Sequence, residues 1–376
     1  MELQVAKKDL LRLLLRTQNV ADKKVSSPIL STVLLSTDGD STLRLSATDS
    51  HISILARVFA DISKPGSVAV PMKEFVERVR AMPEGPIQLS AKDGTMTVRA
   101  KASSRRYTQR GLPGADFPPL PSPTEGANSR ELPATLVRDL IDRTKFSISG
   151  DETRPHLHSA LVEWEGEDMR MVTTDGHRLT RMQIRLPHLV EAGTMLLPQK
   201  GVVELRGLCE EALLHSPDAS IVMRQSGNQA FFQTEGLVLG VKLVDAQFPP
   251  YNQVIPKKTL YPLVLPRLAL LDAIKAVAVA ASEKTLGVKF VLTSGCLRIQ
   301  SESPTTGDGY DELPIDHQGP EVTIGFNAKY FSDVLAALTE PEVIVGVSGE
   351  LDPATVRPQG EKEGQSFVSV VMPMRI

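Results

Sequence analysis

The chain is poor in the residues on which most covalent bracing and most chemistry depend. Two cysteines in 376 residues, Cys209 and Cys296, each stand inside an apolar pattern. They read as two buried, reduced thiols of a cytosolic protein. Aromatic residues make up 5% of the chain, with one tryptophan, Trp164, and point to no particular function. No cationic leader with an apolar core opens the sequence. The longest early apolar run, LLRLLL, is broken by Arg12 and is too short to span a bilayer. A cytoplasmic location is therefore expected. G-x-S-x-G, H-E-x-x-H, Walker A and paired C-x-x-C motifs are all missing. Asp175 and His177 could serve as base and orienter in a hydrolase, but no nucleophile motif accompanies them. His156 and His158 could ligate a metal from one strand, but no carboxylate or cysteine partners are in sight. The expectation is a protein without catalytic activity, metal or cofactor. A basic excess is lacking too. The net charge is −3, which by its sum argues against a nucleic-acid partner, although distribution matters more than the sum.

What the chain has is repetition. Its length suits two or three domains. The stretch TTDGHRLT (Thr173 to Thr180) has an upstream counterpart in ATDSHISI (Ala47 to Ile54), with Asp49 and Asp175 lying 126 residues apart. FPPLP at Phe117 and FPPYNQVIP at Phe248 are 131 apart. Lys73, Lys200 and Lys329 step by 127 and 129. Each third opens with a helical pattern: KKDLLRLLLR, ATLVRDLIDRTKF and LPRLALLDAIKAVAVAA. In the middle one, Leu136, Val137, Leu140 and Ile141 form a stripe at helical spacing. A hairpin follows, with Asp-Gly or Ser-Gly in or beside the turn. A second helix comes next (72–82, 199–214 and 328–338), then a second hairpin and a closing strand. Each third thus reads as two similar halves of about 60 residues. Domains are expected at 1–123, 129–256 and 257–376, with helices covering one side of antiparallel sheets in an α+β layering.

Thr174–Leu179 (TDGHRL), Phe248–Pro256 (FPPYNQVIP) and the C-terminal VVMPMRI, in a triplicated chain, resemble the bacterial DNA polymerase III beta subunits, the sliding clamps. The resemblance spans the whole chain. It implies the DNA-clamp fold: three similar domains, each with two helices packed on antiparallel sheets. Two chains would close head to tail into a homodimeric ring, with helices lining a hole that holds duplex DNA. Such a ring would slide without sequence specificity and give processivity to a polymerase. Its partners would be the replicative polymerase alpha subunit, the clamp loader, and other polymerases and repair proteins, held by short peptides. A peptide-binding scaffold that encircles no DNA is the alternative.

The helix faces opposite the apolar stripes carry cations, as such a lining needs. Lys8, Arg12 and Arg16 are spaced i, i+4, i+8; Lys73 pairs with Arg80 and Arg138 with Lys145 at seven. Lys200 with Arg206, and Arg267 with Lys275, continue the pattern. Lys23, Lys24 and Arg154 are candidate loop contacts. Phosphate contacts carry no sequence information, which a slider requires. Family members often place aromatic residues beside Arg154, where this chain has Pro155 and His156. The resemblance further implies a hydrophobic partner cleft. Leu157, Thr174, Gly176, His177, Arg178 and Leu179 would form one part of it. Pro249, Val254, Pro353, Val370, Met372, Pro373, Met374 and Arg375 would complete it. Arg178 and His177 would offer donors at its rim, and the methionines would repack around varied anchors. Gln253 replaces a basic residue found in many relatives. The dimer contact is expected to set Lys73, Arg78 and Tyr107 against Val279, Ala280, Asp308, Asp311 and Glu312, with Ala280 smaller than the usual residue.

Overall fold

The repeating element in the computed structural model is a strand, a helix and three further strands. The structure describes residues 1–21, 27–124, 128–187, 192–282, 285–303 and 307–375. The first third begins β1 (Glu2–Ala6), α1 (Lys7–Thr17), β2 (Thr32–Asp38), β3 (Thr42–Thr48), β4 (Ile52–Lys64). It repeats as β5 (Ser67–Pro71), α2 (Met72–Arg80), β6 (Pro86–Lys92), β7 (Thr95–Ala100), β8 (Arg106–Arg110), with a two-residue β9 (Leu112–Pro113) appended. The second third runs β10 (Ser129–Pro133), α3 (Ala134–Asp142), β11 (Ser159–Glu165), β12 (Asp168–Thr174), β13 (Arg178–Arg185). Its other half is β14 (Gly193–Pro198), α4 (Gln199–His215), β15 (Ser220–Ser226), β16 (Gln229–Thr234), β17 (Leu237–Lys242). The last third is β18 (Tyr261–Pro266), α5 (Arg267–Ala278), β19 (Gly287–Thr293), β20 (Cys296–Ser303), β21 (Gly307–Pro314). It ends β22 (Val322–Asn327), α6 (Ala328–Ala337), β23 (Glu342–Val347), β24 (Ala354–Pro358), β25 (Gln365–Val371).

The strand-to-helix junctions share a local cause. Proline ends β5, β10, β14 and β18, directly before a helix. Its fixed φ suits the junction, and its missing N–H is one a helix start would leave unpaired. Before α6 the same place is taken by Asn327, whose side chain accepts from Lys329 N–H at 2.9 Å.

The chain builds two compact units: residues 1–137 with 203–243, and 138–202 with 244–376. In the first, thirteen strands form one sheet. Its main path is β8-β7-β6-β1-β4-β17-β16-β15-β10, and β3, β2, β5 and β9 branch from β4. The long β4 makes this possible. Its C-terminal part pairs with β1, and its N-terminal part with β17 in the register Ala56↔Leu237 to Ile52↔Val241. In the second unit, eight strands run β14-β11-β12-β13-β25-β24-β23-β18, with β13 and β25 joined from Arg178↔Val371 to Ile184↔Gln365. A separate four-stranded sheet runs β21-β20-β19-β22.

Apolar helix stripes cover these sheets. Leu10, Leu13 and Leu14 of α1, with Phe75, Val76 and Val79 of α2, are buried in the first unit. In the second, Phe290, Phe326 and Phe331 meet at 4.9–5.3 Å between ring centroids, beside α5 residues Leu270, Ile274 and Val277. Each such side chain contributes about 1.5–3 kcal/mol of burial.

One buried ion pair closes the helix layer of this unit. Arg143, just past α3, donates to Glu340, just past α6, at 2.7 Å. Burial alone would raise the Glu340 carboxyl pKa. The bonds from Arg143 and nearby backbone donors outweigh that, and the net direction is below the ordinary 4.5. A depressed folded value means that the stabilisation is complete above the unfolded pKa and is lost as pH falls through the folded one. Arg143→Met is expected to cost about 3–5 kcal/mol at pH 7 in urea unfolding. Between pH 7 and pH 3, Glu340→Gln is expected to lose less stability than the parent. Equal acid sensitivity would show that the pair contributes nothing.

Candidate functional site

The two Thr-Asp-x-His stretches fold into one and the same turn. In the first, Thr48 Oγ1 donates to Ile52 O (2.8 Å) and accepts from Ser50 N–H (3.0 Å). Asp49 Oδ1 accepts from His51 N–H (2.9 Å) and Ile52 N–H (2.7 Å). In the second, Thr174 Oγ1 donates to Arg178 O (2.6 Å) and accepts from Gly176 N–H (3.1 Å). Asp175 Oδ1 accepts from His177 N–H (2.9 Å) and Arg178 N–H (3.0 Å). This is Asx-turn chemistry. The third turn residue takes positive φ in both, 76° at Ser50 and 93° at Gly176, and the glycine does so without steric cost.

The copies differ in the residue that follows. Ile52 of the first is a core residue, 1% exposed; Arg178 of the second is a buried cation, 7% exposed. Arg178 Nε donates to Asp175 Oδ2 (3.0 Å), Nη1 to Asp333 Oδ2 of α6 (2.7 Å), and Nη2 to Phe146 O (2.5 Å). Its guanidinium lies 4.7 Å from the Tyr330 ring centre and 5.4 Å from that of Phe146. His177 stacks on Tyr330 with centroids 6.4 Å apart. Burial, with Asp175 beside it, keeps the Tyr330 phenol above its ordinary pKa, so it stays neutral. Arg178 therefore braces the turn against α6; it is not the free rim donor that the sequence suggested. Asp333, Tyr330 and Phe146 were absent from the sequence-based set. The sequence offers one signal, the i, i+4 spacing of Lys329 and Asp333, which pair at 2.9 Å, and it bears on Asp333 alone.

Beside the turn lies an apolar floor. Leu179 and Val370, directly paired across β13 and β25, cluster with Leu161, Val172, Leu196, Val368, Phe248 and Tyr251. The segment bearing Pro249 and Val254 follows Phe248, and Val254 remains 40% exposed at the end of a short 3-10 turn. Tyr251 pins that segment by donating to Glu163 Oε2 at 2.7 Å. The tail beyond β25 is held at two backbone points: Met372 N–H on His177 O (2.9 Å) and Met374 N–H on Gly325 O (2.8 Å). Met372 is 38% exposed, Arg375 is exposed, and Pro373 and Met374 are half-buried. Pro353 stands just before β24, where Thr355 pairs with Val370. Leu157 and Thr174 are buried, and Gly176 and His177 are exposed.

The cations divide by what they touch. Lys8, Lys73, Arg80 and Lys275 are exposed, and Arg138 is half-exposed. Arg12 is bonded to Glu211 of α4. Arg16, 12% exposed, donates to Glu204 at 2.8 Å and lies over Gly207, where an added Cβ would come within 2.6 Å of the guanidinium. Arg267 caps α6 through Leu335 O (3.0 Å) and Glu340 O (2.8 Å). Arg206 pairs with Glu210, Lys145 with Asp142 and Arg154 with Asp151; Lys200 is half-exposed. Lys23 and Lys24 lie outside the described residues. Of the expected dimer residues, Tyr107 is on β8 and Arg78 donates to Gln109 of the same strand. Asp308, Asp311 and Glu312 are on β21, and Val279, 84% exposed, and Ala280 follow α5.

Arg178→Met is expected to lower stability by about 3–5 kcal/mol in urea unfolding, because Asp175 and Asp333 would lose a buried partner. Arg178→Lys should recover less than half of that, since an ammonium lacks the planar fork. Full recovery by lysine would mean that charge alone matters.

Profiles of three domain families match the chain in order. They are the N-terminal, central and C-terminal domains of the DNA polymerase III beta subunit, over residues 1–121, 131–250 and 252–375. The beta sliding clamp of Pseudomonas putida is 30% identical, and that of Caulobacter vibrioides 31%, each over the full length of both chains. The crystal structure of a DnaN sliding clamp from Pseudomonas aeruginosa bound to griselimycin matches with a TM-score of 0.91 at 28% identity. The Caulobacter crescentus beta sliding clamp matches with 0.91 at 31%; both cover all of each chain. With its fold, its repeated turn and its full-length relatives in agreement, the chain belongs to the DNA polymerase III beta subunit family, the beta sliding clamps.

Proposed function

We infer that two copies of this chain close head to tail into a ring around duplex DNA and tether a DNA polymerase and other partners to it. The observation that carries the reading is how the half-repeats join. The last strand of each half is β4, β8, β13, β17, β21 or β25. Two mated pairs occur, β4 with β17 and β13 with β25, and each time the final strand of one third meets the mid-third strand of the preceding one. By that rule β8, which closes the first third, calls for β21. Among the described residues β8 pairs only with β7, and β21 only with β20. A second copy supplies the missing partner for each, and two such junctions close the assembly.

Charge agrees with that pairing. Arg106 and Arg110 are on β8, Arg105 precedes it, and Asp308, Asp311 and Glu312 are on β21. The three domains would be 1–123, 129–256 and 257–376. The exposed cations Lys8, Lys73, Arg80, Arg138 and Lys275 are the best phosphate contacts. Arg16 and Arg267, committed to Glu204 and to α6, act as braces. Contacts to phosphate leave the ring mobile, and enclosure, not affinity, retains it.

The floor of Leu179 and Val370, with the adaptable Met372 and Met374 beside it, is the partner site. It suits an extended peptide with apolar anchors, carried by the polymerase alpha subunit, the clamp loader, other polymerases and repair proteins. One cleft per chain gives two per ring, so partners compete or bind together. The protein works in the cytoplasm and carries out no chemistry of its own.

Protein loaded on nicked circular DNA is expected to remain through a wash at about 0.3 M salt and to leave within minutes of linearisation. The charge reversals Lys8→Glu and Arg80→Glu together should reduce loading severalfold. Equal retention on circular and linear DNA would contradict enclosure.

A further inference from the structure

The sheet face that carries the apolar floor continues along β13, and two residues beyond Leu179 it presents Arg181. Its direct cross-strand neighbours are Val172 on β12 and Val368 on β25, both fully buried and both part of the floor. An apolar residue would suit that position; this chain places a half-buried guanidinium there. Its Nε is shielded from water and meets no acceptor, and no carboxylate among the described residues is bonded to the side chain. Burial pulls its pKa below the ordinary arginine value, and the nearby Arg170 and Arg357 act in the same direction, against Tyr251 and Glu361. Of the nearby acids, Glu361 accepts from Phe367 N–H at 2.8 Å, and Glu163, on the same face, accepts from the Tyr251 hydroxyl at 2.7 Å. A guanidinium N–H shielded from water without an acceptor costs free energy that an incoming carboxylate would recover.

We propose that Arg181 receives an acidic side chain, Asp or Glu, that flanks the apolar anchor of the peptide held over Leu179 and Val370. The proposal rests on the reading of that floor as the partner cleft. Two residues along a strand span about 6.6 Å, so an extended peptide following β13 brings a carboxylate two positions from its anchor onto Arg181. The same face carries Glu163 and Asp168 as well as its arginines, and Glu361 lies close by. One unpaired guanidinium in near-neutral surroundings suits a single carboxylate, and the nearby acids would repel a polyphosphate chain.

Fluorescence anisotropy with labelled decapeptides tests this. Each peptide carries glutamine, leucine and phenylalanine anchors. One has Asp two positions before the leucine, another two positions after it, and each has an Asn twin. In about 50 mM salt the parent protein is expected to bind one Asp peptide about tenfold tighter than its twin. In Arg181→Met that preference should fall below twofold, with Asn-peptide affinity unchanged and the melting temperature no lower than the parent's. Arg181→Lys should keep part of the preference. Equal affinity of Asp and Asn peptides for the parent, or a preference that survives in Arg181→Met, overturns the proposal and leaves the cleft reading standing. Failure of every peptide to bind the parent overturns both. Tighter binding of a short duplex DNA to the parent than to Arg181→Met would assign the arginine to nucleic acid instead.

Discussion

Backbone hydrogen bonds between the last strands of neighbouring half-repeats are the interaction on which the rest of this structure depends. An edge strand leaves a row of N–H and C=O groups unpaired, and each open edge invites another strand. The chain answers this within itself at β4–β17 and β13–β25. The thirteen residues of β4 let it serve β1, β3 and β17 together, so separate half-repeats share one continuous sheet. Counting only the last strands of the half-repeats, a linear series of such junctions leaves two of them unmated among the described residues. Here those strands are β8 and β21, of opposite charge, and the association proposed above would meet the same backbone need that shapes the monomer.

The repeated turn shows how a copied scaffold takes on a new contact without being altered. Thr and Asp make the same four hydrogen bonds in both copies, so the backbone is indifferent to what comes next. Ile52 then joins the core, whereas Arg178 reaches Asp333 and Phe146 O and fixes the turn beside the apolar floor. A buried arginine with two carboxylates is seldom a gain in stability over an apolar residue. Its worth here is position: it ties the turn after β12 to α6 and holds His177 against Tyr330. Among the described residues, the hydrogen bonds that hold the methionine tail are backbone ones, made by Met372 N–H and Met374 N–H.

Much of the fold was legible because it was written three times. Period, helix stripes and turn dipeptides agreed from third to third, and α1 to α6 lie on the stretches so read, except that α3 ends at Asp142, short of Phe146, which leaves Lys145 off the helix that carries Arg138. The short strands that open each half, such as Ser67–Pro71 and Gly193–Pro198, were not read as strands. At five or six residues their alternation is too brief to stand out, and proline closes them. The third strands β4, β13 and β21 were not separated from the turns before them. Site legibility followed sequence distance. The local bonds of Thr174 to Arg178 could be anticipated from Asx-turn chemistry. The reach of Arg178 to Asp333, and of Arg16 to Glu204 across 188 positions, could not. Charge rows on helices likewise hid which cations were already paired, because spacing reports the face of a helix and says nothing of what lies opposite.

The central claim is that β8 and β21 are each completed by a second copy. Sedimentation equilibrium at micromolar concentration tests it most directly. The account predicts a single species of twice 40.9 kDa that dissociates when Asp311 and Glu312 are both changed to lysine. A species of one chain mass at all concentrations, or an open-ended series of larger ones, would contradict it.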